Sequence, residues 1–135
     1  MHDIVHQLTI QAPPDRVFAA VSTADGMASW WSEDVGGSSG EGETFTVGFA
    51  ERKQVMSFRI AALEPAALAH LTCLDGPEEW PGTQVAFRLA DHDGATVVRF
   101  WHGGWEYEDG AMPASSFEWA MDLDRLRRYC ESELG

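Results

Sequence analysis

The chain has 135 residues, 44% of them hydrophobic and 23% charged, which suits one domain with a core that needs no staples. Its net charge of −13, from 9 basic against 22 acidic residues, argues against a nucleic-acid partner, whose phosphates need a basic surface, and against an anionic membrane. No stretch approaches the roughly 20 apolar residues that span a bilayer. The start Met1-His2-Asp3-Ile4 lacks the basic residues and apolar run of a signal peptide, so a cytoplasmic protein is expected.

Residues 3 to 12 alternate, with Ile4, His6, Leu8, Ile10 and Ala12 on one face and Val5, Gln7, Thr9 and Gln11 on the other. That period of two predicts a strand with one buried face. Pro13-Pro14-Asp15 opens a helix, since proline suits a first turn and an acid suits its positive end. Val17, Phe18 and Val21 mark its inner stripe, and a second short helix is expected from about Gly26 to Trp31. Gly36-Gly37-Ser38-Ser39-Gly40 reads as a flexible loop.

Five further strands follow. Phe45, Val47 and Phe49 form one apolar face, Met56, Phe58 and Ile60 the next, and a third strand covers about Leu68 to Leu74. Val85, Phe87 and Leu89 are joined by Asp91-His92-Asp93-Gly94 to Thr96, Val98, Phe100 and His102, the pattern of a β-hairpin. From Met112 the period changes to 3.6, with Trp119, Leu123, Leu126, Cys130 and Leu134 in one stripe. Five strands in a row with short connections predict an antiparallel meander within an α+β fold, and only the long final helix can cover its concave face.

Several strings resemble the helix-grip, START-like (SRPBCC) superfamily, the fold of the birch-pollen allergen. Within it they resemble the group named for the activator of the heat-shock-protein-90 ATPase. The N-terminal match is Ile10-x-Ala12-Pro13-Pro14-x-x-Val17-Phe18 followed by Trp30-Trp31. The C-terminal match is Trp119, Leu123, Leu126, Tyr129 and Glu131. Leu63-Glu64-Pro65-x-x-Leu68 and Thr96-x-Val98-x-Phe100-x-His102-x-Gly104 look like that group's middle strands. The family usually carries glycine before the helix tryptophan, where this chain has Glu118. The resemblance implies a curved six-stranded sheet around the C-terminal helix. It also implies a cavity between them for a small apolar, aromatic or lipid-like ligand.

His6 and His102 share the buried register of the first and last strands, which are antiparallel neighbours in the helix-grip fold. They are expected to approach each other as the cavity's polar handle, against the plainer reading that each ring bonds a backbone carbonyl. The expected lining is His6, Trp31, Phe58, Phe87, Phe100 and His102, with Trp105, Phe117, Trp119 and Leu123 beyond them. Trp31, Trp105 and Trp119 are placed where a curved sheet opens. An enzymatic alternative uses His102, with His6 or Glu106, as general acid and base. A third reading, from the family name, is a co-chaperone surface for an Hsp90-type ATPase.

No catalytic residue is assigned by motif, and no metal or cofactor is expected: His2 and His6 on a strand lie ~13 Å apart, too far to share an ion. Cys73 and Cys130 are expected to be reduced, half-buried thiols. Trp101 falls in the outward register, where it forms either an exposed packing site or a homodimer contact.

Overall fold

The computed structural model describes residues 1–132. The alternating segments form β1 (His2–Ile10), β3 (Thr44–Phe49), β4 (Gln54–Glu64), β5 (Leu68–Asp75), β6 (Gln84–His92) and β7 (Ala95–Trp105). A further strand, β2 (Asp34–Gly37), takes in Gly36 and Gly37, the first two residues of the expected loop. The helices are α1 (Pro14–Ser22), α2 (Ala24–Ala28) and α3 (Met112–Glu131). Leu134, expected in the α3 stripe, lies outside the described residues.

All seven strands join one antiparallel sheet in the order β1-β7-β6-β5-β4-β3-β2. The expected count of six is therefore one short. The extra strand forms because Asp34 sits opposite Gly48, and a side chain at 48 would collide with the Asp34 carboxylate. Arg52, in the β3–β4 turn, donates to both Asp34 oxygens at 2.6 Å and so fastens this edge.

Inward residues of the strands build the core: Phe45, Phe58, Leu71, Phe87 and Phe100 are each 1% exposed or less. α3 covers the concave face with Trp119, Leu123, Leu126 and Cys130, at helical intervals of four, three and four. Fully burying side chains of this size contributes about 1.5–3 kcal/mol apiece. The two cysteines are more deeply placed than expected. Both are buried free thiols, and desolvation pushes Cys73 up to about 12 and Cys130 to about 11.

The start of α3 has no capping side chain of its own, since Ala111 holds the N-cap position. Glu79, from the β5–β6 connection, fills that need: its Oε2 accepts the Ala111 N–H at 2.7 Å. A carboxylate there also faces the positive end of the helix dipole. Its other oxygen, Oε1, is buried without a hydrogen-bond partner among the described residues.

Candidate functional site: an indole-floored cleft beside the last helix

Five tryptophans form a continuous ladder through the core. Trp30 stacks on Trp31 at 5.6 Å, Trp31 meets Trp119 at 5.3 Å, Trp119 stacks on Trp80 at 5.9 Å, and Trp80 meets Trp105 at 6.1 Å. Four of these indoles spend their N–H inside the protein. Trp30 donates to Ala20 O, Trp105 to His102 O, Trp80 to Ser115 Oγ and Trp119 to His102 Nδ1, all within 2.8–3.0 Å. Trp31 makes no such bond with another described residue.

His102 is the hub of this arrangement. Because its Nδ1 accepts from Trp119, its proton resides on Nε2, which donates to Thr83 Oγ1 at 2.8 Å. The Thr83 hydroxyl in turn donates to the Trp80 carbonyl at 2.5 Å. The ring is 0% exposed, and desolvation pulls its pKa down from 6.5 to about 3. A neutral imidazole with both nitrogens occupied fixes the two indoles Trp80 and Trp119 in place.

Beside this packed end, α3 and the β3–β4 hairpin stand apart and leave a cleft of about 1030 Å³. Trp31, Trp80 and Trp119 border its base, none more than 5% exposed, with Met56 and Phe49 on the sheet side. On the helix side, Ala111, Ser115, Glu118, Asp122 and Arg125 line the wall, at intervals of four, three, four and three. That spacing puts one helical face along the cleft. Asp122 bonds Arg125 one turn on, and burial raises its carboxyl despite that partner.

Of the expected lining residues, Trp31 and Trp119 reach this cleft. Phe58, Phe87, Phe100, His102 and Trp105 lie beneath it, none more than 1% exposed, and fill the core. Phe117 is 67% exposed and faces away from the interior, because an offset of two from Trp119 carries a helical residue to nearly the opposite side. His6 and Leu123 line a smaller recess of about 210 Å³ between β1 and α3. Glu106 is exposed in the segment after β7.

The two histidines share a face but not a site. β1 and β7 pair antiparallel, with His6 opposite Phe100 and Ile4 opposite His102. His6 Nε2 lies 3.2 Å from both the carbonyl and the hydroxyl of Ser116 on α3, while His102 engages Thr83 and Trp119. The structure thus brings His6 to the helix start and His102 to the tryptophan ladder. Sequence reasoning missed Trp80, Thr83 and Glu79. They sit in the turn-rich stretch 75–83, where no periodicity marks an inward face, although a tryptophan in such a turn is itself a signal of docking.

The family model described as Activator of Hsp90 ATPase homolog 1-like protein matches residues 11–131. The chain belongs to this family. No curated protein sequence matches it. Among solved structures, it is similar to the Aha1 dimer of Colwellia psychrerythraea, at 29% identity and a TM-score of 0.87 over 100% of both chains. It shares the fold of protein MLL2253 from Mesorhizobium loti, at 18% identity and TM-score 0.81, over 94% of this chain and 95% of that one. It also shares the fold of CalU16 from Micromonospora echinospora, at 20% identity and TM-score 0.79, over 97% and 76%. The helix-grip architecture expected for this group is the one observed.

Proposed function

We propose that the protein binds a small molecule with an apolar or aromatic body in the cleft between α3 and the β3–β4 hairpin. The observation that carries this reading is a space of about 1030 Å³ bordered by Trp31, Trp80, Trp119, Met56 and Phe49. Ligand sites of small molecules are concave, mostly apolar and provided with a few polar groups. Here the Trp119 and Trp80 indoles are fixed by hydrogen bonds to His102 and Ser115, so the base of the cleft is formed before any ligand arrives. Preformed walls lower the ordering cost of binding.

The test is titration of the protein with aromatic and alkyl compounds, read by tryptophan emission and by melting temperature. A ligand at a hundredfold excess over its dissociation constant stabilises the native state by about 2.7 kcal/mol, which shifts the melting temperature by several degrees. The Trp31→Ala variant should lose that shift. A broad panel that moves neither signal overturns the reading.

The general acid/base alternative finds less support. His102 is buried with both nitrogens engaged, its low pKa leaves it uncharged at neutral pH, and neither it nor Glu106 is among the residues that line the cleft. Contact with an Hsp90-type ATPase draws on the family name alone.

A second copy of the chain on the convex face is a separate proposal, since the Colwellia relative is described as a dimer. On that face Val5 is 68% exposed directly opposite Trp101, whose ring packs edge-on to His70. Sedimentation of the protein should report a dimer, and Val5→Glu should shift it to monomer with native stability unchanged. A monomer at all concentrations removes this reading.

A further inference from the structure

The convex face of the sheet carries its charge in a definite order. Side chains there fall in rows that run from strand to strand. Val5, Trp101 and Ala86 pair in register as a central row on β1, β7 and β6. Two residues along the strands to one side lie Asp3 and Gly103, and two residues to the other lie Gln7, Arg99 and Arg88. Each flanking row therefore stands ~7 Å from the central one. Arg88 and Arg99 are directly opposite one another, and like charges so placed repel. Asp3, Arg88 and Arg99 are exposed and join no ion pair among the described residues.

Both charged rows are also aimed. Arg99 Nε donates to Gln7 Oε1 at 3.0 Å, which turns the guanidinium toward β1 and leaves its two outer nitrogens without an acceptor among the described residues. In the other row the Asp3 carboxylate leans over β7, where a side chain at Gly103 would meet its Oδ1 at 2.6 Å. The Trp101 ring lies against the same glycine, so the indole is laid down on the sheet instead of standing out from it. A second sheet can thus approach the central row closely.

We propose that a second copy of the chain docks on this face about a two-fold axis running across the strands, along the Val5–Trp101 row. The inference rests on the convex face being a dimer interface, and it adds the orientation and the residues that fix it. Rotation about that axis carries the Asp3 row of one copy onto the Arg99 row of the other, and the reverse. Each carboxylate then comes down over β7 of the facing copy, beside the open side of the Arg99 guanidinium and next to Arg88. Symmetry makes the pair twice. A guanidinium and a carboxylate can join through two parallel hydrogen bonds, which sets direction as well as strength. The other simple arrangement, a two-fold along the strands, lays the arginine row of one copy on the arginine row of the other and is repelled.

Sedimentation equilibrium of the full chain and its charge variants reads the arrangement. Asp3→Arg and Arg99→Glu should each weaken the dimer about tenfold, since each converts two attractive pairs into two repulsive ones. The double variant, which exchanges the two charges, should return to within about threefold of wild type. Asp3→Arg lowers the net negative charge of the chain, which alone favours association, so weakening by it reports the local pair. A dimer that Val5→Glu disrupts but either charge variant leaves intact overturns the orientation while the convex interface stands. Weakening by both single variants without recovery in the double one overturns the orientation as well. A dimer insensitive to Val5→Glu, or a wild-type monomer at all concentrations, overturns both proposals, and the monomer leaves the two arginines to an acidic partner of another kind.

Discussion

The two flanks of α3 differ in how their polar groups are satisfied. On the β6–β7 side, Trp119 Nε1, both nitrogens of His102 and the Thr83 hydroxyl form a closed chain of hydrogen bonds with nothing left open. On the β3–β4 side, the helix turns carboxylates and a guanidinium toward an unfilled cleft. One helix therefore seals a core with one face and borders a recess with the next. Stability is concentrated on the first flank, and any binding specificity belongs to the second, because an unpaired polar group gains most from a new partner.

The sharpest way to break this contrast is Trp119→Ala, since that side chain serves both flanks. It should cost about 3–5 kcal/mol in denaturant unfolding, the range for a large aromatic removed from a packed core, and should abolish ligand response as well. A loss below 1 kcal/mol would mean that the sealed flank is not where stability resides.

His102→Phe tests the closed chain itself. It leaves the Trp119 N–H without an acceptor, at about 1–3 kcal/mol, while the Thr83 hydroxyl keeps its bond to the Trp80 carbonyl. The pH dependence is more specific. The folded state holds the imidazole neutral down to about 3, whereas the unfolded chain takes up a proton near 6.5. The unfolded state therefore binds more protons within that window, and stability falls as pH falls. The contribution is fully present above 6.5 and is lost toward 3, with a slope of up to about 1.4 kcal/mol per pH unit. The carboxylates add their own slope in both proteins, so the measurement is the difference between wild type and variant. Equal slopes would show that His102 titrates normally in the folded state.

Glu79→Ala gives the smallest effect and sharpens the boundary between the flanks. Losing the acceptor for Ala111 N–H and the charge at the helix start should cost about 1 kcal/mol. Hydrogen exchange should quicken in the first turn of α3 and not at Trp119. Loss of protection along the whole helix would mean that the two flanks unfold as one unit.

The contrast also explains what the sequence made legible. Strand alternation and the change of period at Met112 are repeated over many residues, so the sheet, its antiparallel order and the covering helix could be read directly. β2 could not, because its four residues Asp34–Gly37 have no alternation and depend on a gap left by Gly48 across the pair. Trp119 borders the cleft from α3, whereas Trp31, expected at a helix end, lies in the turn after α2, which stops at Ala28. Asp122 was not legible, since an acid beside a recess has the same local sequence as an acid in open solvent, and Glu118 stood out only as a departure from the family's glycine. The reading of Phe117 failed on geometry: burial of Trp119 fixes the helix face, and residue 117 then points outward.

The pairing of β1 with β7 has a consequence for the order of assembly. Gln7 and Arg99, which bond across these strands, are 92 residues apart in the chain, whereas β3 to β7 join sequential neighbours through short connections. Closing so long a loop is costly before its contacts form, so the meander can organise first and β1 must dock late. During synthesis β1 emerges earliest and waits longest, an alternating strand with its apolar edge unpaired until residue 105 has been made. His6 and Asp3 on that strand interrupt its apolar pattern, and charge or polarity in a waiting strand is what keeps it from pairing with the wrong neighbour.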